Sequence, residues 1–483
     1  MSDFADYRAQ GYTHVPVSLE RLADLDTPLS AYLKLARGRY SYLLESAHGG
    51  ERWGRYSFIG LPCRTVIRVS GHEVVLENDG EVVERSTQAD PLAFVHHFEQ
   101  SHRIPKLPDL PRFYGGLVGY FGYDTVRYLE PKLAGKAPPD PIGLPDIVLM
   151  VSTEVVVFDA LTGSVHIIVL ADLNDPHCRE KAKARLVEIA GGLDRPVPPL
   201  AFGTARETRE ADFVSGWGRE GFMRAVERIC EYERAGDAMQ VVIGQRMSAP
   251  FTADPMNLYR AVRRLNPSPY MFFMEFGEFQ IVSSSPEIMV RVEDGEIVSR
   301  PLAGTIRRGS SEAEDLELER QLLSDPKELA EHLMLIDLHR NDVGRVSETG
   351  SVRVTEEFVI ERYSHVMHIS SEVRGRLLEG KTAMDVLQVC LPVGTLSGAP
   401  KFRAMQIIDE LEPVKRGIYG GAVGYVAFGG NLDTAIAIRT ALIKDGVMHI
   451  QAGGGIVVDS VPEKEWEESM NKGRALFKAA SMV

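Results

Sequence analysis

The residues best suited to chemistry lie in two acidic runs. The first is Asp325-Pro326-Lys327-Glu328-Leu329-Ala330-Glu331-His332-Leu333-Met334. As a helix it takes Asp325 as its N-cap, and Glu328 stands where a capping box would close. Local rules alone favour that role for Glu328. Glu331 shares a helical face with Met334, Leu335 and Leu338, where an unpaired carboxylate is costly to bury, so a partner cation is expected. Glu328 and Glu331 are three apart and project in similar directions. The second run follows Pro462 and puts Glu465, Glu468 and Lys472 on one helical face. A solvated face is the simpler reading, by about three to one. The sharper reading has Glu468 and Glu331 share a hard divalent ion. Mg²⁺ suits such a pair, because it takes few protein carboxylates and completes its octahedron with water and substrate oxygens.

Glycine-rich turns supply the complementary chemistry. Gly453-Gly454-Gly455 ends an apolar strand, and backbone N–H groups without a neighbouring Cβ can approach a carboxylate closely. Gly394-Thr395-Leu396-Ser397-Gly398-Ala399-Pro400 leads into a predicted helix, a second candidate anion site. Neither run is a Walker loop or a dinucleotide fingerprint, which disfavours a nucleotide enzyme. These residues alone point to a metal-assisted enzyme acting on a small polycarboxylate.

The elements that must position these groups are legible from periodicity and turn chemistry. Helices are expected over Phe222 to Ala235, Pro326 to Leu338 and Pro462 to Leu476, and hairpins turn at Asn78-Asp79-Gly80, Thr162-Gly163, Asp294-Gly295 and Asp445-Gly446. Sheet-rich halves with helices outside give an α+β class, with largely antiparallel sheets. A proline-rich stretch at about 191–211 reads as a linker. It divides the chain into an N-terminal domain, 1–205, and a C-terminal domain, 212–483, with room for a segment of one to complete a sheet of the other.

With 483 residues, 44% of them hydrophobic, the chain can bury a large core. Its net charge of −14 disfavours a nucleic-acid surface but not an anionic small substrate. Cys63, Cys178, Cys230 and Cys390 are widely spaced and form no CxxC pair, so a reducing cytoplasm fits. Neither a signal sequence nor a membrane span is expected.

Over nearly its whole length the sequence resembles the chorismate-utilising enzymes. The resemblance rests on several blocks in one order: Arg300-Pro301-Leu302-Ala303-Gly304-Thr305, Glu331-His332-Leu333-Met334 with Arg340-Asn341-Asp342, His365-Val366-Met367-His368, Gly394 to Pro400, Tyr419-Gly420-Gly421, Arg439 and Gly453 to Gly455. It implies a β-sandwich core with helices packed outside and two intimately associated domains, the second of them binding chorismate. It further implies that Glu331 and Glu468 hold Mg²⁺, which holds the ring carboxylate of chorismate. Tyr419 and Arg439 would bind the enolpyruvyl carboxylate, and Gly453, Gly454, Gly455 and Lys472 would lie against the ring carboxylate. Glu328 would be the general acid at the C4 hydroxyl, Thr305 would line the pocket, and His368 would assist at the ring, with a purely structural histidine as its alternative.

Two positions resemble the anthranilate synthase branch, its large subunit or component I. Water-adding members carry a lysine where this chain has Gln240, and a glutamine cannot act as a base. A group of aminodeoxychorismate synthases carries a lysine nucleophile where this chain has Ala303. Leu43-Leu44-Glu45-Ser46 and Asn266-Pro267-Ser268-Pro269-Tyr270-Met271-Phe272-Phe273 resemble the segments that form a tryptophan feedback site, so Leu44, Glu45, Ser46, Pro269, Tyr270 and Met271 are expected to bind L-tryptophan and the first domain to be regulatory. The chain has no glutaminase-like nucleophile elbow, and the resemblance implies ammonia from a separate glutamine amidotransferase subunit in a hetero-oligomer. His339 departs from the family, where many members have a small residue.

Overall fold

The computed structural model describes residues 4–46, 54–200, 207–363 and 366–483. Met1, Ser2 and Asp3, part of the expected linker (201–206) and His365 of the third family block lie outside the described residues. The Asp-Gly hairpins form where the sequence places them, because a left-handed Asp-Gly pair matches the twist of the paired strands. Asp79 and Gly80, Asp294 and Gly295, and Asp445 and Gly446 all have φ between 50° and 84°. The three expected helices run over Gly218–Arg234, Pro326–Gly344 and Pro462–Ala480. The linker region begins inside the helix Cys178–Leu193 and is irregular over 194–200.

Among the described residues, two twelve-stranded sheets carry the fold. The first runs 14–22, 164–172, 154–159, 56–60, 41–45, 270–275, 279–285, 440–444, 447–456, 240–250 and 214–215, with 398–399 paired to 240–250. The second runs 302–307, 366–376, 296–299, 288–293, 432–436, 422–427, 116–121, 147–152, 65–70, 73–78 and 81–87, with 353–362 paired to 366–376. The 1–205 and 212–483 segments therefore share both sheets. They meet where 41–45 pairs with 270–275 and where 116–121 pairs with 422–427, both antiparallel.

The main core fills the space between the sheets, and a second core lies between the first sheet and the helices outside it. Strand Tyr270–Glu275 shows how one segment serves both. Phe272 and Met274 enter the core between the sheets, while Met271 and Phe273 enter the helix-covered core. A strand buried on both faces is continuously apolar, which explains Tyr-Met-Phe-Phe-Met where a one-sided strand would alternate. This α+β sandwich is the expected class. Among the described residues no helix is long and apolar enough to cross a membrane.

A buried polar bond ties the sheets together. The Tyr42 hydroxyl lies 2.7 Å from Ser152 Oγ, and both residues are fully buried. Tyr42→Phe leaves that serine without its partner and is expected to cost about 1.5 kcal/mol in chemical denaturation. An unchanged unfolding midpoint would show that the serine finds another partner.

Candidate active site

The helix Pro326–Gly344 packs on strands Leu302–Arg307 and Val366–Arg376, and the buried His332 pins it there through Nε2, 2.7 Å from Ser371 Oγ. At its first turn the Asp325 carboxylate accepts from the Lys327 N–H (2.9 Å) and the Glu328 N–H (3.4 Å). The capping box does not close, because the Asp325 N–H goes to Leu322 O instead. The Glu328 carboxylate reaches over Gly304, where a Cβ would meet Oε2 at 3.1 Å. Gly304 has φ +62 at a bulge in the pairing of 302–307 with 366–376, which lets the strand bend away beneath that carboxylate.

Carboxylates at two helices act on one another here. Burial raises Glu328, and the charges of Glu331, Asp325 and Glu468 raise it further. Burial also raises Glu465, with Glu468 adding to the effect. Gln240 donates to Glu331 Oε1 at 3.0 Å, and Lys472 pairs with Glu468 at 2.8 Å. Gly454 lies under Glu468, where a Cβ would meet Oε1 at 3.1 Å, and one at Gly455 would meet the Gln240 amide at 2.5 Å. Lys472 also donates to Gly453 O at 2.9 Å. Among the described residues no three His, Cys, Asp or Glu side chains form a ready metal cage. The crowded carboxylates nevertheless suit Mg²⁺ held by one pair of them, with water and substrate oxygens filling the other positions.

The opposite chemistry sits at a corner of the sandwich. Chain segments pass between the sheets at two adjacent places, from 279–285 to 288–293 and from 432–436 to 440–444, and the Ile436 N–H bonds Glu287 O at 3.0 Å between them. Arg439 lies in the second crossing with φ +50, a left-handed conformation that costs a residue with a Cβ about 1–2 kcal/mol. Among the described residues no carboxylate forms an ion pair with its guanidinium, and burial lowers its pKa. Tyr419 is 8% exposed and lies over the buried Arg416–Glu412 pair, whose guanidinium is 5.5 Å from its ring.

Glu287, in the first crossing, escaped the sequence reading. Ser-Pro-Glu looks like an ordinary turn, and only the fold reveals that this carboxyl is 3% exposed. Burial pushes it up to about 8, against the Thr395 hydroxyl at 3.0 Å, the Leu302 N–H and the charges of Arg439 and Lys472. Burial thus favours its protonated form near neutral pH. His368 is held down to about 4 by burial and by the charges of Arg439 and Lys472, so its ring is neutral. Its Nδ1 lies 3.0 Å from Gly304 O and 3.0 Å from Thr305 Oγ1. A carbonyl only accepts, so Nδ1 carries the proton and Nε2 offers a lone pair.

A model of the chorismate binding enzymes matches residues 41–478. The chain belongs to that family. Anthranilate synthase component 1 of Pseudomonas aeruginosa is 60% identical over 100% of this chain and 98% of its own length. The protein of that name from Neisseria meningitidis serogroup A is 54% identical over 98% and 96% of the two chains. The solved anthranilate synthase component I of Streptococcus pneumoniae superposes with a TM-score of 0.78 at 37% identity, covering 95% of this chain and 99% of that one. The site is thus that of an enzyme acting on chorismate.

In this chorismate-binding enzyme the residues expected to bind tryptophan gather at one end of a strand pair, where Met271 is opposite Glu45 and Phe272 opposite Leu44. They divide over two faces. Leu44 and Tyr270 pack toward the core between the sheets, and the Tyr270 hydroxyl bonds Asp433 at 2.9 Å. Met271 faces the helices, and Glu45 accepts from Tyr259 at 2.5 Å and from Arg263 at 3.1 Å. Pro269 and Ser46 lie at the strand ends.

The state of Glu287 has a measurable signature. An unfolded glutamate loses its proton near pH 4.5, whereas the folded one keeps it to about pH 8. The folded protein therefore loses stability relative to Glu287→Gln across that window. Melting temperatures of the two proteins should diverge in favour of Glu287→Gln from pH 5 to 8 and stay parallel above it. A constant difference would mean that Glu287 is ionised in the fold.

Proposed function

We propose that this chain is the chorismate-binding component of an anthranilate synthase, a lyase that forms anthranilate and pyruvate from chorismate and ammonia at the start of tryptophan synthesis. Its full-length similarity to proteins bearing that name carries the reading. Gln240 and Ala303 agree with it, since neither supplies the lysine that the water-adding and lysine-nucleophile branches use.

In this reading Arg439 and Tyr419 hold the enolpyruvyl carboxylate, the guanidinium through its bidentate fork. Lys472 and the backbone of Gly453, Gly454 and Gly455 line the ring-carboxylate end, and Thr305 completes the wall beside His368. Glu331 and Glu468 would hold Mg²⁺, which when bound neutralises the ring carboxylate and fixes the substrate's orientation. Ammonia attacks C2 of the ring while the C4 hydroxyl leaves as water with a proton from the enzyme, giving 2-amino-2-deoxyisochorismate. Loss of the C2 proton and of pyruvate then forms the aromatic ring, with the free Nε2 of His368 the available proton acceptor.

The proton donor is where this mechanism departs from the family resemblance, which names Glu328. A donor must be protonated at working pH, and Glu287, neutral to about pH 8 beside Arg439 and Lys472, meets that requirement. Glu328 is surrounded by carboxylates and suits the cation end instead.

Ammonia reaches the site from a separate glutamine amidotransferase subunit, making the working enzyme a hetero-oligomer. L-Tryptophan binds at Leu44, Glu45, Ser46, Pro269, Tyr270 and Met271, on the regulatory 1–205 segment and its strand partner, and lowers activity of the 212–483 segment.

The purified chain with chorismate, ammonium and Mg²⁺ should produce anthranilate fluorescence that a chelator abolishes and tryptophan lowers. A product that retains the enolpyruvyl group would overturn the assignment. Glu287→Gln should lower kcat about 10²–10⁴-fold with chorismate binding nearly intact, while Glu328→Gln mainly raises the Mg²⁺ requirement. The reverse pattern would return the donor role to Glu328. Glutamine hydrolysis by the chain alone should be undetectable, and its presence would remove the need for a second subunit.

A further inference from the structure

Three consecutive serines, Ser283, Ser284 and Ser285, end strand Phe279–Ser285 and are all buried, at 0%, 1% and 0% exposure. Each grips the crossing that carries Arg439. Ser285 Oγ donates to Ile436 O at 2.7 Å, Ser283 Oγ lies 2.8 Å from Thr440 Oγ1, and the Ser284 N–H donates to Arg439 O at 3.2 Å. The Ser284 side chain turns the other way. Its hydroxyl bonds the Asn266 carbonyl and lies 2.8 Å from Ser268 Oγ, and it accepts from Asn266 Nδ2 at 3.2 Å. The hydroxyl proton is shared between Asn266 O and Ser268 Oγ and one lone pair accepts from Asn266, so every side-chain bond of Ser284 falls on the segment that leads into Pro269 and Tyr270.

We propose that Ser284 is a positioning residue that couples the Asn266–Tyr270 segment to Arg439. It would carry occupancy of the tryptophan site to the chorismate carboxylate. The inference rests on the proposed roles of both sites. Its basis is a short physical chain: side-chain bonds from Ser284 to the inhibitor segment, and a main-chain bond from the same residue to Arg439. Arg439 is suited to be the element that changes state, because its left-handed backbone is uncommon for a residue with a Cβ and persists only while its neighbours hold it. A ligand at Pro269–Met271 that moves Asn266 or Ser268 pulls on Ser284, and the Arg439 carbonyl follows. Coupling between sites requires such an element with two arrangements, each favoured by a different ligand.

The test separates binding from transmission. The full chain and its Ser284→Ala variant are compared in ammonium-dependent turnover, with the chorismate KM measured with and without saturating L-tryptophan, and tryptophan affinity measured by calorimetry without chorismate. In Ser284→Ala, tryptophan should bind within about threefold of the parent affinity, while the factor by which it raises KM falls about tenfold or to unity. The uninhibited KM should rise with kcat little changed, as for a lost positioning contact. Ser268→Ala removes one partner of the hydroxyl without touching the strand, and should weaken the factor in the same direction. It carries the test if Ser284→Ala does not fold. A variant that binds tryptophan and keeps the full parental factor would overturn the coupling role alone. A parent chain whose chorismate KM does not respond to tryptophan would overturn the inhibitor-site reading, and the coupling role with it.

Discussion

The site depends on the place where two chain segments cross between the sheets side by side, 279–285 to 288–293 leaving the first sheet and 432–436 to 440–444 returning to it. At such a corner the ladder of main-chain hydrogen bonds breaks, and every orphaned N–H and C=O needs another partner. In the run Ser283-Ser284-Ser285, the Ser285 and Ser283 hydroxyls meet part of that need by donating to the carbonyls of Ile436 and Ile438, and the Ser284 N–H by donating to Arg439 O. They can do so because the serines are small enough to sit fully buried between strands. The corner thereby holds Arg439 in a left-handed conformation and keeps Glu287 away from water. A regular strand, with side chains alternating between faces, would not present both groups to one pocket.

Charge is then sorted by distance from that corner. Glu287, Arg439 and His368 lie deep enough for burial to dominate. It pushes the carboxyl up, and it pushes the guanidinium and the imidazole down. Each shift favours the less charged form, which is the direction desolvation must give. Glu328, Glu331, Glu465 and Glu468 lie nearer the surface on two helices. There the charges of neighbouring carboxylates add to burial at Glu328 and Glu465, and a small hard cation is the natural relief. In the proposed reading, a substrate with two carboxylates would bridge these ends, one on a fixed guanidinium and one on a bound ion. This polarity explains why a chain of net charge −14 suits a doubly anionic substrate.

Much of this was legible because it is local. The Asp-Gly turns, the proline-started helices and the placing of Glu331 on an apolar stripe depend on neighbours within a few residues. Glu328 shows the limit of local reasoning. The rule for helix starts assigned it to a capping box, yet the Asp325 N–H has Leu322 O as its partner, and the carboxylate turns toward Gly304. The proposed tryptophan residues show another limit. Leu44 and Tyr270 are adjacent in sequence to Glu45 and Met271, but alternation in a strand sends each pair to a different core.

The sequence by itself determined the α+β class, the order of helices and hairpins, and the chemical inventory: paired glutamates at helical spacing, an arginine and a tyrosine, and a triple-glycine strand end. Family resemblance read from the same letters added chorismate. Only the tertiary structure decided which of these groups are desolvated, and so which carboxyl is pushed towards its protonated form. It also decided that the 1–205 and 212–483 segments share both sheets. The physical reason is the same in each case. Burial and strand pairing are properties of segments distant in sequence, and Glu287 lies only 3.0 Å from Thr395, a residue more than one hundred positions away.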